Sequence, residues 1–339
     1  MKAPEFWNER STLAWLLYPV SLIYGRFSLQ RMNRKVRYKA HIPVLCVGNL
    51  VMGGAGKTPT ALALGKAAAD LRLSPIFLTR GFKGKEAGPL RVDPQTHTSE
   101  DVGDEALLLA KVAPTVVARD RVAGAKLAEE IGKQLGGALI IMDDGFQNPY
   151  LFKDFNLVVV DAQQSIGNSM VFPAGPLRAP LNPQIRRANQ LVIVGDGAHA
   201  PRLRQLLAKL GKSTTRACIK PAKCRMLGGT RVFAFCGIGH PDKFYQTLEE
   251  LELDIIDYQD FDDHHAFTNE EAEAILERAK AQNLDIVTTS KDHVRLKLAG
   301  PAGEKLARKA QIIAVEMAFD DNGFPRRVLE QCSRNFSRR

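Results

Sequence analysis

The segment from Val44 to Leu73 constrains this chain more than any other. Val44-Leu45-Cys46-Val47 is an aliphatic run that reads as a buried strand. It runs into Gly48-Asn49-Leu50-Val51-Met52-Gly53-Gly54-Ala55-Gly56-Lys57-Thr58, and an Ala- and Leu-rich helical pattern continues to Leu73. Strand, glycine-rich loop, Lys-Thr and helix form a cradle for phosphate. The glycines let backbone N–H groups turn toward phosphate oxygens, and the helix N-terminus adds partial positive charge.

This is the arrangement of P-loop nucleotide-binding proteins. It assigns Gly53, Gly54, Ala55 and Gly56 to the phosphates, Lys57 to the β- and γ-phosphates, and the Thr58 hydroxyl to Mg²⁺. The strict pattern has a glycine five residues before Gly56, where this chain has Val51. A bland alternative is a glycine-rich turn with a surface lysine.

Further apolar runs follow at Ile76–Leu78, Thr115–Val117, Ala138–Met142, Leu157–Val160 and Leu191–Val194. Helical patterns lie between several of them, at Thr58–Leu73, Glu105–Val112 and Arg121–Leu135. Continuous apolar strands alternating with helices predict an α/β fold, a mostly parallel sheet covered on both faces. A second, smaller α/β set starts near Arg231. Its strands are expected at Val232–Phe235, Ile255–Ile256, Ile286–Thr288 and Ile312–Val315, and its helices at Asp242–Leu251 and from Thr268-Asn269-Glu270-Glu271 to Ala281. The chain has 339 residues, enough for about two domains. The expected division is an N-terminal segment 1–39, a P-loop domain 40–225, a smaller domain 226–325 and a basic tail 326–339.

Leu139-Ile140-Ile141-Met142-Asp143-Asp144-Gly145 delivers two carboxylates at a strand's C-terminal end. In an open parallel sheet ligands sit at that edge. A carboxylate there can hold Mg²⁺. Alone, Asp-Asp-Gly after a strand is usually a turn; beside Lys57-Thr58 it reads as a metal pair. No Asn-Lys-x-Asp base-reading motif is present, and Ser290-Lys291-Asp292 does not fit one, which favours ATP over GTP.

The net charge is +10, and it sits at the ends. Residues 1–39 hold eight cations (Lys2, Arg10, Arg26, Arg31, Arg34, Lys35, Arg37, Lys39) against Glu5 and Glu9, a net of +6. Residues 326–339 hold Arg326, Arg327, Arg334, Arg338 and Arg339 against Glu330, a net of +4, so the body between is neutral. That argues against a nucleic-acid partner. The run Leu13–Tyr24 is too short to span a bilayer and is broken by Pro19. Its charges follow the apolar run, the reverse of a signal peptide. Trp15, Tyr18, Tyr24 and Phe27 among aliphatics, then basic residues, compose either a segment in a membrane interface or a helix packed on the protein's own body. The five cysteines form no C-x-x-C pair, which points to reduced thiols rather than a zinc ribbon or a disulfide framework.

Several segments together resemble one family. They are Val47-Gly48-Asn49-Leu50 through Gly53 to Pro59, Thr79-Arg80-Gly81-Phe82, Gly103-Asp104-Glu105, Arg119-Asp120-Arg121-Val122, Asp143-Asp144-Gly145-Phe146-Gln147, and Pro173-Ala174-Gly175-Pro176-Leu177-Arg178. Gly237-Ile238-Gly239, Asp263-His264-His265 and Thr288-Thr289-Ser290-Lys291-Asp292 continue the match, in order, from about residue 5 to 325. The family is tetraacyldisaccharide 4′-kinase, the lipid A 4′-kinase of Gram-negative bacteria.

The resemblance implies ATP- and Mg²⁺-dependent phosphorylation of the 4′-hydroxyl of a tetraacylated glucosamine disaccharide 1-phosphate. It also implies a monotopic protein on the cytoplasmic face of the inner membrane, held to the anionic surface by its N-terminal segment, and a monomer is expected. By the same resemblance Asp104 is the general base, working with His264, or with His265 as runner-up. Lys57 and Arg178 complete the catalytic set, Arg178 either stabilising phosphate charge or bridging its own loop. Thr58, Asp143 and Asp144 hold the metal. Arg80, Phe82, Arg121 and Gln147 are candidates for substrate contact. The family usually has Glu where this chain has Ala179. The competing reading is a P-loop ATPase acting as a switch or chaperone, which would favour metal-ligand clusters or a second lysine in the loop; this loop has neither.

Overall fold

In the computed structural model, described for residues 4–197, 200–224 and 226–339, thirteen strands form two sheets. They are β1 (Val44–Asn49), β2 (Ser74–Thr79), β3 (Leu90–Arg91), β4 (Thr115–Val117), β5 (Ala138–Asp143), β6 (Phe155–Asp161), β7 (Gln190–Val194), β8 (Thr214–Pro221), β9 (Arg231–Cys236), β10 (Asp254–Asp260), β11 (Asp285–Thr289), β12 (Gln311–Ile313) and β13 (Val315–Phe319). The large sheet runs β13-β8-β7-β6-β1-β5-β2-β4-β3, parallel except at its two outermost pairings. The small sheet, β10-β9-β11-β12, is parallel throughout.

The apolar runs become central strands because both faces of each sheet are covered. Every residue of β1 is buried. Cys46, Ile76, Ile140 and Val158 pack on one face of the large sheet, while Leu45, Phe77, Ile141 and Leu157 pack on the other. The small sheet repeats this, with Phe233 and Ile286 on one face and Ala234 and Val287 on the other. β1 pairs with β5 on one side and β6 on the other. The strand order therefore reverses beside β1, the place where open α/β sheets bind ligands.

Two expectations about the domains fail. The run Ile312–Val315 is not one strand. β12 ends at Ile313 in the small sheet, and β13 starts at Val315 in the large one, antiparallel to β8. Both pieces are apolar, so composition hides the crossing at Ala314. The basic tail is also not a tail. Residues 324–337 form a helix whose Phe324, Val328, Leu329 and Cys332 are buried against the large sheet's core. These recur at helical spacing, a signal masked by the five arginines. The small domain is thus an insertion between β8 and β13. The boundary drawn at 225/226 touches residue 225, which lies outside the described residues.

The helix Thr12–Met32 is built inside out. The face toward the protein carries small groups, Ala14, Ser21 and Gly25, with Met32 at the end. Ala174 N donates to Ser21 Oγ at 2.8 Å, and Gly25 leaves room for Pro180 and Val171. Leu13, Trp15, Leu16, Val20, Leu22, Ile23 and Phe27 are all exposed, Leu16 to 75%. Among the described residues no helix is long and apolar enough to cross a membrane.

Candidate active site

The phosphate loop leaves β1 and turns into the helix Lys57–Asp70. Gly56 caps that helix at φ +84°, a left-handed conformation that favours glycine. A side chain there would also press on Met317 Cε at 3.2 Å. The departure at Val51 has a structural reason. Residues 50–52 pair with the Pro176–Arg178 segment: Met52 N donates to Pro176 O (2.8 Å), and Arg178 Nε donates to Val51 O (2.9 Å). The stretch where the strict motif has glycine is an extended, side-chain-packed segment here, and the tight turns fall at Gly53 and Gly56. Lys57 Nζ lies 3.3 Å from Gly53 O, folded back over the loop.

The two strand-end carboxylates separate by role. Asp143 is 1% exposed and accepts a hydrogen bond from Thr58 Oγ1 at 3.0 Å. Burial, then the negative charge of Glu105, pushes its carboxyl up to about 7 against the pull of Lys57. Asp144 is gripped by both nitrogens of the Arg178 fork, at 2.8 and 3.2 Å. Burial would raise Asp144, but Lys57 and Arg178 outweigh it and hold the carboxyl below its ordinary range. Arg178 therefore engages Asp144, as the salt-bridge alternative had it.

Asp143 Oδ1 is buried with no hydrogen-bond partner. An orphaned carboxylate oxygen beside a threonine hydroxyl is a donor set that suits a hard cation such as Mg²⁺. The described residues hold no cluster of three or more His, Cys, Asp or Glu able to bind a metal by themselves. Mg²⁺ fits such a site when nucleotide phosphates supply further oxygens.

Two domains bring Asp104 and His264 together. Asp104 opens the helix Asp104–Ala110 and is 4% exposed. Gly103 precedes it at φ +84°, and a side chain there would strike Phe82 O at 2.5 Å. Asp104 Oδ1 accepts from Glu105 N at 2.9 Å, and Oδ2 lies 3.1 Å from His264 Nδ1. Burial would raise Asp104; the His264 hydrogen bond, then the charges of Lys291 and Arg295, overcome it and hold the carboxyl far below the ordinary range. His264 stands at φ +64°. Its neighbour His265 turns away, stacked on Phe261 with centroids 4.8 Å apart and paired with Glu271 at 2.8 Å. His265 thus holds its own loop against the helix Asn269–Ala281.

The remaining candidates divide. Arg80 and Phe82 are both exposed, and the Phe82 ring meets the His264 ring edge-on at 6.1 Å. Arg121 is 4% exposed; it donates to Ala118 O and reaches Asp144 O at 3.4 Å. Such a buried guanidinium braces the acidic loop from behind and is not open to a substrate. Gln147 Nε2 donates to Asn49 O (2.7 Å) and Gln184 Oε1 (3.0 Å), tying that loop to β1. Ala179 is fully buried, so no carboxylate stands at that point of the Pro-rich loop. Sequence reasoning missed Arg295 and Glu105 as members of the site. Lys291 Nζ pairs with Glu105 at 2.8 Å, and Arg295 Nη2 with Asp104 at 3.1 Å. The signal lay in Lys291-Asp292-x-x-Arg295, which puts Asp292 and Arg295 one helical turn apart.

A phosphate loop, a buried strand-end carboxylate with an unpartnered oxygen, and an Asp–His pair made between two domains define a two-domain P-loop phosphotransferase. A family model described as tetraacyldisaccharide-1-P 4′-kinase matches residues 13–333. A tetraacyldisaccharide 4′-kinase of Allorhizobium ampelinum is 45% identical over 345 residues, covering 100% of this chain and 99% of that one. One from Rhodopseudomonas palustris is 45% identical over 338 residues, 98% of each chain. The solved LpxK of Aquifex aeolicus in complex with ATP superposes with a TM-score of 0.72 at 26% identity, covering 96% of this chain and all of that one. The chain belongs to the tetraacyldisaccharide 4′-kinase family.

Proposed function

We propose that this chain transfers the γ-phosphate of ATP to the 4′-hydroxyl of a tetraacylated glucosamine disaccharide 1-phosphate, a step of lipid A biosynthesis. The observation that carries this reading is the buried Asp104–His264 pair, its carboxylate from the P-loop domain and its imidazole from the second. A switch ATPase has no need of a base opposite its nucleotide; transfer to a sugar hydroxyl does. Neither a metal cluster among the described residues nor a second loop lysine favours the chaperone reading.

The backbone N–H groups of Gly53 to Gly56 and the Lys57 ammonium hold the triphosphate. Thr58 and Asp143 would hold Mg²⁺, which when bound neutralises charge on the phosphate oxygens. Arg178, freed from or shared with Asp144, adds a planar donor for phosphate charge. Asp104 and His264 act as one unit that orients the sugar hydroxyl and takes its proton. Phe82, against the His264 ring, and the exposed Arg80 are offered to the disaccharide.

The outward face of helix Thr12–Met32 lies in the interface of an anionic membrane. Seven large apolar side chains exposed on one helix exceed what a monomer leaves in water without cause. The basic residues 26–39 then meet headgroups. The chain works as a monomer, peripheral on the cytoplasmic face of the inner membrane.

The test uses purified protein in detergent with γ-labelled ATP, Mg²⁺ and the lipid disaccharide 1-phosphate. Label enters the lipid, and Lys57→Ala lowers its rate by about 10²-fold or more. Label found only as free phosphate overturns the reading. Joint replacement of Leu16, Ile23 and Phe27 by Ser abolishes sedimentation with anionic vesicles while detergent activity stays; unchanged sedimentation overturns the membrane assignment.

A further inference from the structure

Arg295 is buried, with 5% exposure, at the junction of the two domains. It ends the short helix Ser290–Arg295, whose start is capped by Thr289 Oγ1 accepting from Asp292 N. Its two terminal nitrogens face different partners. Nη2 donates to Asp104 Oδ2 at 3.1 Å. Nη1 donates to Asp292 Oδ1 and to Gly237 O, both at 3.0 Å. Gly237 N in turn donates to Asp292 Oδ1 at 2.9 Å, and Gly237 O also accepts from His264 N at 3.0 Å. One guanidinium therefore ties down the carboxylate and, through Gly237, the backbone of the histidine.

We infer that Arg295 is a positioning residue for the Asp104–His264 pair. The inference rests on the kinase reading above. Three physical points support it. A non-glycine residue stays at φ +64° only where its surroundings over-determine it, and His264 N is held by the carbonyl that Arg295 anchors. Asp104 and Asp292 are buried anions, and such charges persist only when paired. The planar fork satisfies both at once, which a lysine ammonium on its single point cannot reproduce. The charged groups facing the pair are Glu105 and Lys291 on one side, Asp292 and Arg295 on another, and Asp263, whose Oδ1 lies 3.7 Å from His264 Nε2. Of these, Arg295 bonds to the Asp104 carboxylate through its side chain, and Glu105 reaches it only through its backbone N–H.

The consequence is a dependence of chemistry, not of substrate binding, on this arginine. In the detergent assay, Arg295→Lys is expected to keep KM for ATP and lipid within about threefold and lower kcat by about 10- to 100-fold. The acidic limb of its kcat–pH profile moves upward, because a displaced cation leaves the proton more firmly on the pair. In the His264→Ala background the same substitution costs little further, since its effect runs through the missing imidazole. Normal kcat overturns the inference. So does a lower kcat with an unmoved pH profile and full additivity with His264→Ala, the signature of general destabilisation. Where Arg295→Lys no longer binds nucleotide, Asp292→Asn carries the test. It keeps the side-chain shape and loosens the anchor, so kcat falls with KM held; unchanged kcat overturns the inference. A parent chain that labels no lipid overturns the kinase reading instead, and a parent that labels lipid beside a normal Arg295→Lys overturns only this one.

Discussion

Replacing Asp143 by Asn separates what the site needs from what the fold prefers. Asp143 is buried with Oδ1 unpartnered, and burial with Glu105 nearby pushes its carboxyl up to about 7. In the unfolded chain an aspartate titrates near ~3.9. A folded-state value above the unfolded one means that the folded protein binds the proton more tightly. The associated stability is full below about pH 4 and drains away as pH rises through about 7. The gap between the two values corresponds to roughly 4 kcal/mol for the nucleotide-free protein. Asn is isosteric, still accepts from Thr58 Oγ1, and carries no charge to bury. The assay is urea denaturation of both proteins from pH 5 to pH 8 without nucleotide or Mg²⁺. The stability of Asp143→Asn relative to the parent should climb by about 1.4 kcal/mol per pH unit and level off above pH 7. Mg²⁺ and ATP together should stabilise the parent by mass action and the variant far less. Kinase activity of the variant should fall by 10²-fold or more. A stability difference that stays flat from pH 5 to pH 8 would refute the reasoning, because it would mean that the carboxylate is already paired or solvated.

Two further outcomes follow from the same geometry. His264→Ala should lower kcat by about 10²- to 10⁴-fold with the melting temperature little changed, whereas His265→Ala, which loses the Phe261 stack and the Glu271 pair, should shift stability by about 1 kcal/mol and leave kcat within a few-fold; steady-state kinetics and thermal melts of both variants check this. Phe324→Ala should cost about 3 to 5 kcal/mol in urea denaturation, because that ring is fully buried in the large sheet's core; a cost below ~1 kcal/mol would show that the C-terminal helix is dispensable.

Local sequence carried most of the architecture. The helices expected at Thr58–Leu73, Arg121–Leu135 and Asp242–Leu251 are Lys57–Asp70, Arg121–Lys133 and Pro241–Glu250, because periodicity and caps act within a few residues. The Thr268 capping box forms as the spacing required, with the Glu271 side chain reaching back to Thr268 N. Strand β8 gave no signal because only Ala217 in it is buried and it carries Thr, Arg and Lys, unlike the aliphatic central strands. Arg121 and Arg295 show the limit for the site. Both are arginines near functional motifs, and only packing distinguishes a buried brace from an exposed contact.

The chain by itself determined the phosphate loop, the strand-end carboxylates, the apolar strands and the two clusters of basic charge. Those features are local, so residue order within a dozen positions specifies them. The fold alone decided which distant residues meet. It carried the chain through the small domain between β8 and β13, and so set His264 and Arg295 on the same oxygen of Asp104. It also brought the two basic ends together: Lys39 and Arg339 lie over the same Phe152 ring, at 5.2 and 5.6 Å. Contacts between residues 160 to 191 positions apart cost chain entropy that no local pattern records, and only burial of whole sheet faces recovers it.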